Sequence, residues 1–335
     1  MPHPLIAQLM AGFGGRQGPS RCIGLDVGTS SVKGVRLHRA VGGIEIAQAE
    51  KVELPSEAQP AQRSAAVRQV LEKLSYRDLP AVVSVGGAGT ILRRISLPKM
   101  TPQELRSAFS FEAERHIPFK MEEVFFDFSI LTERPGGQMD VLLVAARREL
   151  VNDLLGLLSL CEVTPLAVDL EMVALTNAWE GASSPPESGV TALLHIGSRG
   201  TVLDFIRDSQ LEFAREINVG GSAFTQAVAS TLRLGLPEAE RLKCRPEGRA
   251  AEVRAAMQPA WEEWLSQCRV SFDFYENQFG QRVDRLVLSG GAARCPEFKE
   301  WVQEASGLPV KVWDPMSKDP SFTIAVGLAL RGLAK

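Results

Sequence analysis

The sequence lacks any cluster of cysteines or histidines that would mark a disulfide framework or a metal site. It has no C-x-x-C motif, and its five cysteines and four histidines are scattered over 335 residues. An odd, scattered set of cysteines in a chain of this length is typical of reduced thiols, and the histidines lack the spacing of zinc ligands. The cysteines are Cys22, Cys161, Cys244, Cys268 and Cys295, and the histidines are His3, His38, His116 and His195.

Long apolar segments are also missing. The densest apolar stretch, Leu154–Cys161, has eight residues, whereas a membrane-spanning helix needs about 20. The N-terminus shows no basic region followed by a long apolar run, so no secretion signal is indicated. The sequence therefore predicts a soluble, cytoplasmic protein that does not span a membrane.

An excess of charge of one sign is absent as well. Lys and Arg total 37 and Asp and Glu total 40, which gives a net charge of −3. Nucleic-acid-binding domains usually carry a basic surface, so no nucleic-acid partner is expected. The chain does have 45% apolar and 23% charged residues. This is the composition of a globular protein, and the length predicts two domains or one bilobal domain.

The most informative feature is an internal repeat. Three strands separated by turns and followed by a helix are predicted over residues 21–74, and the same order returns over residues 191–234. Aligning the two copies places Asp26 over His195 and Gly28 over Gly197. Repeats carry more weight than single motifs, so we expect two duplicated α/β lobes.

Each copy has a glycine-containing turn where its first strand ends, and a third such turn lies near the C-terminus. In Asp26–Ser31, glycine, hydroxyls and successive N–H groups can hold phosphate oxygens, and the aspartate can hold a hydrated Mg²⁺. The second turn contains Gly197 and Ser198, and the third is Ser289–Ala292. Neither G-x-x-x-x-G-K-[ST] nor G-x-G-x-x-G occurs. The three turns predict a nucleotide between two lobes, with its phosphates on the paired turns and its adenosine near the third.

At these positions the sequence resembles the actin, Hsp70 and sugar-kinase superfamily. Asp26–Thr29 is similar to its first phosphate loop, His195–Gly197 to its second and Ser289–Ala292 to its adenosine motif. Glu240 and Lys243 resemble the pair that borders the adenosine, and they also fit an exposed helical charge pair. The candidate ligand of Mg²⁺ is Asp26, and the candidate residues for ATP are Asp26, Gly28, Thr29, Ser30, Ser31, Lys33, His195, Gly197, Ser198, Gly220, Gly221, Glu240, Lys243, Gly290, Gly291 and Ala292.

Other segments narrow this resemblance to the PilM family, the actin-like proteins of type IV pilus assembly. The segments are Ile95–Met100, Glu112–Phe119, Val144–Arg147 and Gly327–Gly332, and Ala325–Ala329 resembles the C-terminal hinge motif of the superfamily. The resemblance covers residues 21–335. It implies an FtsA-like fold, with two duplicated RNase H-like α/β lobes and an inserted α+β subdomain in the first lobe.

The repeat and the resemblance together divide the chain. Residues 1–20 are predicted as an N-terminal tail, either partly disordered or a short helix that docks on a partner. Residues 21–182 are predicted as the first lobe, with the insert at about 94–164. Residues 188–335 are predicted as the second lobe, whose terminal helix returns to the first.

Three local features are predicted as well. Thr101 and Glu104 have the spacing of a capping box at the start of the helix in the insert. Ser183–Pro186 is predicted as a linker before the second lobe, and a long helix is predicted from Trp261 to Phe279.

The resemblance also implies a function. It implies an ATP-binding cytoplasmic scaffold at the inner face of the cytoplasmic membrane, in the platform that assembles type IV pili and supports twitching motility. The implied partner is the short cytoplasmic N-terminus of a PilN-like membrane protein, bound between the insert and the first lobe. Pilus motor ATPases are further candidate partners.

Two alternatives come from the same superfamily. A small-molecule kinase would need a catalytic aspartate that faces an acceptor hydroxyl, and no motif supplies one. An FtsA-like cell-division protein would normally show a C-terminal amphipathic membrane helix, whereas this sequence stops at Lys335, directly after the hinge helix.

One departure from the superfamily pattern concerns turnover. The second phosphate loop usually begins with aspartate, and this sequence has His195 there. A neutral imidazole cannot hold the water shell of Mg²⁺ as a carboxylate can, and a charged one would oppose the cation. We therefore expect ATP binding with weak or no hydrolysis, and no catalytic residue is assigned.

The insert offers a candidate peptide-binding corner. Its helix carries Glu114 and Arg115 and ends before Pro118, which cannot continue a helix. Phe111 and Phe119 are therefore expected at a rigid corner beside charged side chains. Either these aromatic residues pack the core of the insert, or the corner lines a peptide groove with Arg115, Glu114 and Phe119 as contacts.

Overall fold

The computed structural model describes residues 19–77, 79–182, 188–208, 210–315 and 319–334. Almost all of the predicted N-terminal tail lies outside these residues, as does the linker predicted at 183–186. Within the described part of the chain, every helix is too short or too polar to cross a lipid bilayer.

Strands and helices of the described residues form two large sheets, one small sheet and the helical layers around them. The strands are β1 (Arg21–Val27), β2 (Ser31–Ala40), β3 (Gly43–Glu53), β4 (Ala81–Val85), β5 (Thr90–Pro98), β6 (Val124–Arg134), β7 (Gln138–Arg147), β8 (Ala167–Leu170), β9 (Val190–Ile196), β10 (Thr201–Arg207), β11 (Gln210–Ile217), β12 (Arg285–Ser289) and β13 (Val310–Val312). The α-helices are α1 (Pro60–Lys73), α2 (Pro102–Glu114), α3 (Arg148–Ser159), α4 (Glu171–Ala182), α5 (Gly221–Leu232), α6 (Leu236–Cys244), α7 (Ala250–Phe279), α8 (Pro296–Ser306) and α9 (Thr323–Leu333).

The two large sheets have the same topology. Their strand orders are β3-β2-β1-β4-β8 and β11-β10-β9-β12-β13. In each sheet the meander of three strands is antiparallel, and the remaining two strands run parallel to the first strand of the meander. Asp26 is the second-last residue of β1 and His195 the second-last residue of β9. The duplicated α/β fold predicted from the repeat is confirmed.

The small sheet is antiparallel, with the order β5-β7-β6, and α2 packs on it. The helix buries Leu105, Phe109 and Ala113 against this sheet. It begins with the predicted capping box, because the Thr101 hydroxyl accepts from the backbone N–H of Glu104 at 3.2 Å and the Glu104 carboxylate accepts from the backbone N–H of Thr101 at 2.7 Å. The insert therefore has a core of its own.

Two helices, α3 and α9, pack against strands of the first large sheet. Helix α3, which the predicted insert of about 94–164 includes, contacts α1 and β4 beside the first large sheet. Helix α9 packs against β1 and α4. A Cβ atom at Gly24 would lie 1.9 Å from the carbonyl oxygen of Ala325, and one at Gly327 would lie 1.8 Å from that of Ala174. Only glycine permits this close approach, which holds the C-terminal helix on the first lobe.

Helix α7 differs from the prediction. It begins at Ala250, whereas the sequence pattern predicted a start at Trp261, after Pro259. Proline interrupts helical hydrogen bonding and usually marks a helix start. Here Val253 and Met257 are buried in the core of the second lobe, and this burial extends the helix to the N-terminal side of the proline.

Candidate functional site

A cleft of about 1050 Å³ lies between the two lobes. Gly28, Thr29 and Ser30 line one side of it, and Gly197 and Ser198 line the other. These residues form the turns after β1 and β9, which are equivalent strands in the two sheets. The duplication thus brings two glycine-containing turns to one cavity.

Both turns are tight. A Cβ atom on Gly28 would lie 2.9 Å from the carbonyl oxygen of Ser31, and one on Gly197 would lie 3.2 Å from that of Gly200. A Cβ on Gly220, directly before α5, would lie 2.6 Å from the carbonyl oxygen of Gly197. A side chain at Gly28 or Gly220 would force the backbone of these turns to shift, whereas one at Gly197 would require its neighbour to move by only a few tenths of an ångström. Glycine therefore lets the backbone approach the cleft closely.

A buried ion pair stands at the first turn. The ammonium of Lys33 donates a hydrogen bond of 2.7 Å to the carboxylate of Asp26, and the two residues are register partners on β1 and β2. Their side chains are only 12% and 7% exposed. The ammonium would lie 3.7 Å from a Cβ on Gly28. This places a positive charge next to the backbone of the first turn.

His195 occupies the equivalent position in the second lobe and is neutral at pH 7. Burial and the charge of Lys33 lower the pKa of His195 to about 4, although Asp26 acts in the opposite direction. Its Nδ1 lies 3.0 Å from the hydroxyl oxygen of Ser289, its register partner on β12. The ring is thus held by the third glycine-containing element.

Glu171, which no motif in the sequence indicated, also lines the cleft. It is the first residue of α4, directly after the buried parallel strand β8. A Cβ on Gly86 would lie 2.5 Å from the carboxyl carbon of Glu171. Burial and the charge of Asp26 raise the pKa of Glu171 to about 7, although Lys33 lowers it. An acidic residue at the carboxyl end of a parallel strand was the signal that could have identified it.

A second acidic residue of the cleft was also missed. Glu216 projects from β11 of the second lobe and lines the cleft. Burial and the charge of Glu171 raise the pKa of Glu216 to about 8, whereas Thr90 and Gly87 of the first lobe lower it. No sequence pattern marks this position, because the two lobes meet there only in the folded chain.

The adenosine-bordering residues predicted from the resemblance form a cluster beside the second turn rather than in the lining of the cleft. Lys243 is 5% exposed, and its ammonium donates hydrogen bonds to the carbonyl oxygen of Gly221 at 3.1 Å, the hydroxyl of Thr225 at 2.9 Å and the carboxylate of Glu240 at 2.6 Å. Burial raises the pKa of Glu240, but the charge and the hydrogen bond of Lys243 act in the opposite direction, and the pKa is lowered overall. A Cβ on Gly221 would lie 3.9 Å from that of Ala292. Three separate segments therefore meet here.

Eight of the predicted nucleotide-binding residues do not line the cleft: Gly220, Gly221, Glu240, Lys243 and Ala292 beside the second turn, and also Ser31, Gly290 and Gly291. Ser31 is buried at the start of β2. Gly290 has a φ of +91°, and a Cβ there would lie 2.4 Å from the carbonyl oxygen of Ile196. It therefore holds β12 close to β9. Gly291 is exposed, and a Cβ on it would meet open space.

The carboxylates of the cleft are the groups that could hold the predicted Mg²⁺. The described residues hold no group of three or more His, Cys, Asp or Glu side chains that could bind a metal ion by themselves. Mg²⁺ is usually held by one or two carboxylates together with water and substrate phosphates. Asp26 and Glu171 both line the cleft and would supply such carboxylates. The residues present therefore fit Mg²⁺ that arrives with a nucleotide.

In the predicted peptide-binding corner, Glu114, Arg115 and Phe111 are exposed, whereas Phe119 packs against the core of the small sheet. Glu114 is exposed, and the Arg115 side chain is 67% exposed with its guanidinium 5.9 Å from the ring centre of Phe111. Phe111 is itself 68% exposed. Phe119 is half-buried against the core of the small sheet, with the Arg147 guanidinium 4.3 Å from its ring centre.

A small pocket lies between the insert and the first large sheet, where the edge strands β6 and β8 approach each other. Its walls include Phe125, Val144, Asp127 and Asp169. The Oδ2 atoms of both aspartates are buried without a hydrogen-bond partner. Burial raises the pKa values of Asp127 and Asp169 to about 6, against the nearby charge of Arg331. The pocket thus offers two hydrogen-bond acceptors within apolar walls.

Comparison with known proteins shows the same fold elsewhere. The chain is similar to a solved PilM–PilN type IV pilus biogenesis complex, with a TM-score of 0.81 and 26% identity over 93% of this chain and 98% of that one. It also shares its fold with MreB5 of Spiroplasma citri bound to AMPPNP, with a TM-score of 0.53 and 11% identity over 92% and 94% of the two chains.

A curated relative matches over a shorter segment. Type II secretion system protein L of Xanthomonas campestris pv. campestris is 31% identical over 100 residues, which are 30% of this chain and 25% of that protein. The match therefore spans a quarter of that relative.

The family comparison covers nearly the whole chain. The model of the family described as type IV pilus assembly protein PilM matches residues 24–333. Both the actin-like fold and the family resemblance expected from the sequence are confirmed. The chain belongs to the PilM family of type IV pilus assembly proteins.

Proposed function

We propose that this protein binds ATP in the cleft between its lobes and serves as an actin-like scaffold of type IV pilus assembly. The family membership supports the role in pilus assembly and favours it over a division protein or a small-molecule kinase. The observation that carries the nucleotide proposal is that the equivalent turns after β1 and β9 line one cleft. The AMPPNP bound to MreB5, which has the same fold, supports an adenine nucleotide.

The residues of the cleft would share the work of binding. The backbone N–H groups around Gly28 and Gly197 would donate hydrogen bonds to phosphate oxygens. The Lys33 ammonium, which donates a hydrogen bond to Asp26, would also donate to the phosphates, because it lies beside the first turn. Asp26 and Glu171 would hold the water shell of Mg²⁺, and the metal would offset phosphate charge.

His195 points to binding rather than rapid turnover. Because its pKa is about 4, the imidazole carries no charge at pH 7 and supplies no carboxylate for the metal shell. In the second lobe, Glu216 is the acidic residue of the cleft, and its pKa of about 8 leaves it largely protonated at neutral pH. The second lobe therefore contributes little negative charge to a metal site, which fits a scaffold whose nucleotide is held.

The partner of the scaffold is proposed to be the cytoplasmic N-terminal peptide of a PilN-like membrane protein. The similarity to a PilM–PilN complex supports this partner. The pocket between β6 and β8 suits an extended peptide, because an edge strand has unpaired backbone groups and the Oδ2 atoms of Asp127 and Asp169 can accept from a donor of the peptide. The exposed Arg115 and Phe111 at the end of α2 form the second candidate contact of the peptide.

Binding to a membrane protein would hold this chain at the inner face of the cytoplasmic membrane. In that place it would link the membrane components to the pilus motor ATPases, which we propose as further partners, and so contribute to twitching motility.

Calorimetric titration tests the two parts of the proposal separately. The protein is titrated with Mg²⁺-ATP and, in a second experiment, with a synthetic peptide of the first residues of a PilN-like protein. We expect saturable binding of one molecule of each. Binding of the peptide without any binding of ATP would refute the nucleotide part, and the reverse result would refute the partner.

A further inference from the structure

Two thiols from distant parts of the sequence meet beside the candidate nucleotide site. Cys244 is the last residue of α6, and Cys295 directly precedes α8. Their Sγ atoms lie 3.1 Å apart, although the residues are 51 positions apart in the sequence. Both are free thiols. A disulfide bond has a length of about 2.05 Å, so a movement of roughly 1 Å would suffice for bonding.

The two thiols have different surroundings. Cys244 is half-buried, whereas Cys295 is 4% exposed. The hydrogen bond with Cys295 lowers the pKa of Cys244, burial opposes this, and the Lys243 ammonium lowers the pKa further. The same hydrogen bond and burial raise the pKa of Cys295. Reactive cysteines are typically accessible, with a lowered pKa and a second thiol within reach.

The other described cysteines lack such a partner. Cys22 is buried, and its thiol contacts the backbone oxygens of Ile23 and Pro80. Cys161 is half-buried and contacts the backbone oxygen of Ser64. Burial raises the pKa of Cys268. Among the described residues, only Cys244 and Cys295 have their sulfur atoms within bonding reach of each other.

We propose that Cys244 and Cys295 are an oxidation site that forms a reversible intramolecular disulfide when the protein meets a peroxide. The Cys244 thiolate attacks one peroxide oxygen and the O–O bond breaks, which leaves a sulfenic acid on Cys244 and, after protonation, one water. The Cys295 sulfur then attacks the Cys244 sulfur, the S–O bond breaks, and the hydroxyl leaves as water with the Cys295 proton. In total, two thiols and one hydrogen peroxide give one disulfide and two waters. A dithiol reductant reverses the step.

The position of this pair gives the disulfide a consequence. Cys244 adjoins Lys243, whose ammonium holds the carbonyl oxygen of Gly221, and Cys295 follows the short turn that carries Ala292. The disulfide would draw the end of α6 toward the turn that carries Ala292 and narrow the space between these two elements. We therefore expect oxidation to weaken nucleotide binding. This consequence rests on the proposed function, whereas the disulfide itself does not.

Peptide mapping tests the disulfide. The full-length protein is treated with hydrogen peroxide, its remaining thiols are alkylated, and the protein is digested without reduction. We expect a cross-linked peptide that joins Cys244 to Cys295 and disappears after treatment with dithiothreitol. Cys161→Ser is the matched control, since it removes a half-buried thiol that has no thiol partner, and it should form the same cross-link. Cys244→Ser should not.

Several results of the peptide mapping would contradict the proposed disulfide. Oxidation of Cys244 to sulfinic acid without the cross-link, or disulfides that join two molecules, would overturn the proposal. Cross-links from Cys22, Cys161 or Cys268 would do the same. Cys295→Ala serves as a second variant in case Cys244→Ser does not fold, and it should also lack the intramolecular bond.

A nucleotide titration tests the consequence. A fluorescent ATP analogue is titrated into the reduced and the oxidised protein, and we expect at least about fivefold weaker binding after oxidation. Dithiothreitol should restore the affinity, and the Cys161→Ser control should respond as the unaltered protein does. Equal affinities with a complete disulfide would overturn the coupling. Absence of binding in both states would refute the proposed nucleotide function, and the peptide map would still decide the disulfide.

Discussion

Lys33 and Asp26 form a nearly buried ion pair, with 2.7 Å between ammonium and carboxylate, at the first turn of the cleft. Their register across β1 and β2 places the ammonium beside the backbone of Gly28. A buried charge needs a partner, and phosphate groups would offer Lys33 a second one. In the proposed nucleotide site, the pair would therefore hold a positive charge in place before the anionic ligand arrives.

Replacement of Lys33 by alanine is expected to weaken ATP binding by at least about tenfold, which corresponds to ~1.4 kcal/mol. The variant removes the positive charge at the first turn and leaves Asp26 without its partner. Calorimetric titration with Mg²⁺-ATP measures the loss. Lys51→Ala is the matched control, because Lys51 is the register partner of Lys33 on β3 and does not line the cleft. Equal losses in the two variants would remove Lys33 from the site.

Gly28→Ala should also weaken ATP binding by at least about tenfold. The new Cβ would lie 2.9 Å from the carbonyl oxygen of Ser31, so the turn must shift. Gly156→Ala is the control, since a Cβ on this exposed position of α3 meets nothing within 4 Å and should stabilise the helix slightly. Unchanged ATP affinity in a folded Gly28→Ala protein would contradict the assignment of the first turn.

ATP turnover by the unaltered protein is expected to stay below about 1 s⁻¹, the lower end of typical enzyme rates. The reason is that His195 is neutral and cannot support a metal-bound water as a carboxylate does. Phosphate release with Mg²⁺-ATP measures the rate. Asp26→Asn is prepared in parallel, because a contaminating ATPase would persist in that variant. Faster turnover that disappears in Asp26→Asn would show a working ATPase.

Stability should fall as the pH rises through the neutral range. The pKa of Glu216 is raised from 4.5 to about 8 in the folded chain, so the folded state binds its proton more tightly than the unfolded state. The stabilisation from this group is fully present below pH 4.5 and is lost as the pH rises through about 8. Glu171, with a pKa of about 7, acts in the same direction.

Glu216→Gln tests this dependence, because an amide cannot ionise. Melting temperatures are measured between about pH 5 and 8.5. The variant should melt higher than the unaltered protein at the upper end and show a shallower slope. Glu53→Gln, at a side chain that is 68% exposed, should leave the slope unchanged. A slope that persists in full in Glu216→Gln would assign the dependence to other groups.

Two variants locate the peptide site. If the pocket between β6 and β8 holds the peptide of a PilN-like protein, Asp127→Asn should weaken peptide binding by roughly tenfold. If the peptide instead contacts the end of α2, Arg115→Ala should weaken its binding by the same factor. Fluorescence anisotropy of a labelled peptide measures both. Arg249→Ala is the control for Arg115, since both arginines are exposed and each pairs with a glutamate three residues away. ATP affinity and melting temperature should stay unchanged in Arg115→Ala, and normal peptide binding by both variants would place the groove elsewhere.

The sequence alone predicted the parts of this protein that depend on neighbouring residues. The alternation of short apolar strands and turns revealed the duplicated meander, because strands and tight turns have local signatures. The Thr101 and Glu104 capping box likewise lies within one turn of helix and was confirmed. The equivalence of Asp26 and His195 followed from the repeat itself, without any contact between the lobes.

Other features depend on residues that meet only after folding. Glu171 and Glu216 have raised pKa values because two lobes bury them in one cleft, and the thiols of Cys244 and Cys295 approach although 51 positions separate them. Helix α7 continues past Pro259 because its first turns are buried in the second lobe. Burial and long-range proximity are properties of the packed chain, so only the tertiary structure decided these features.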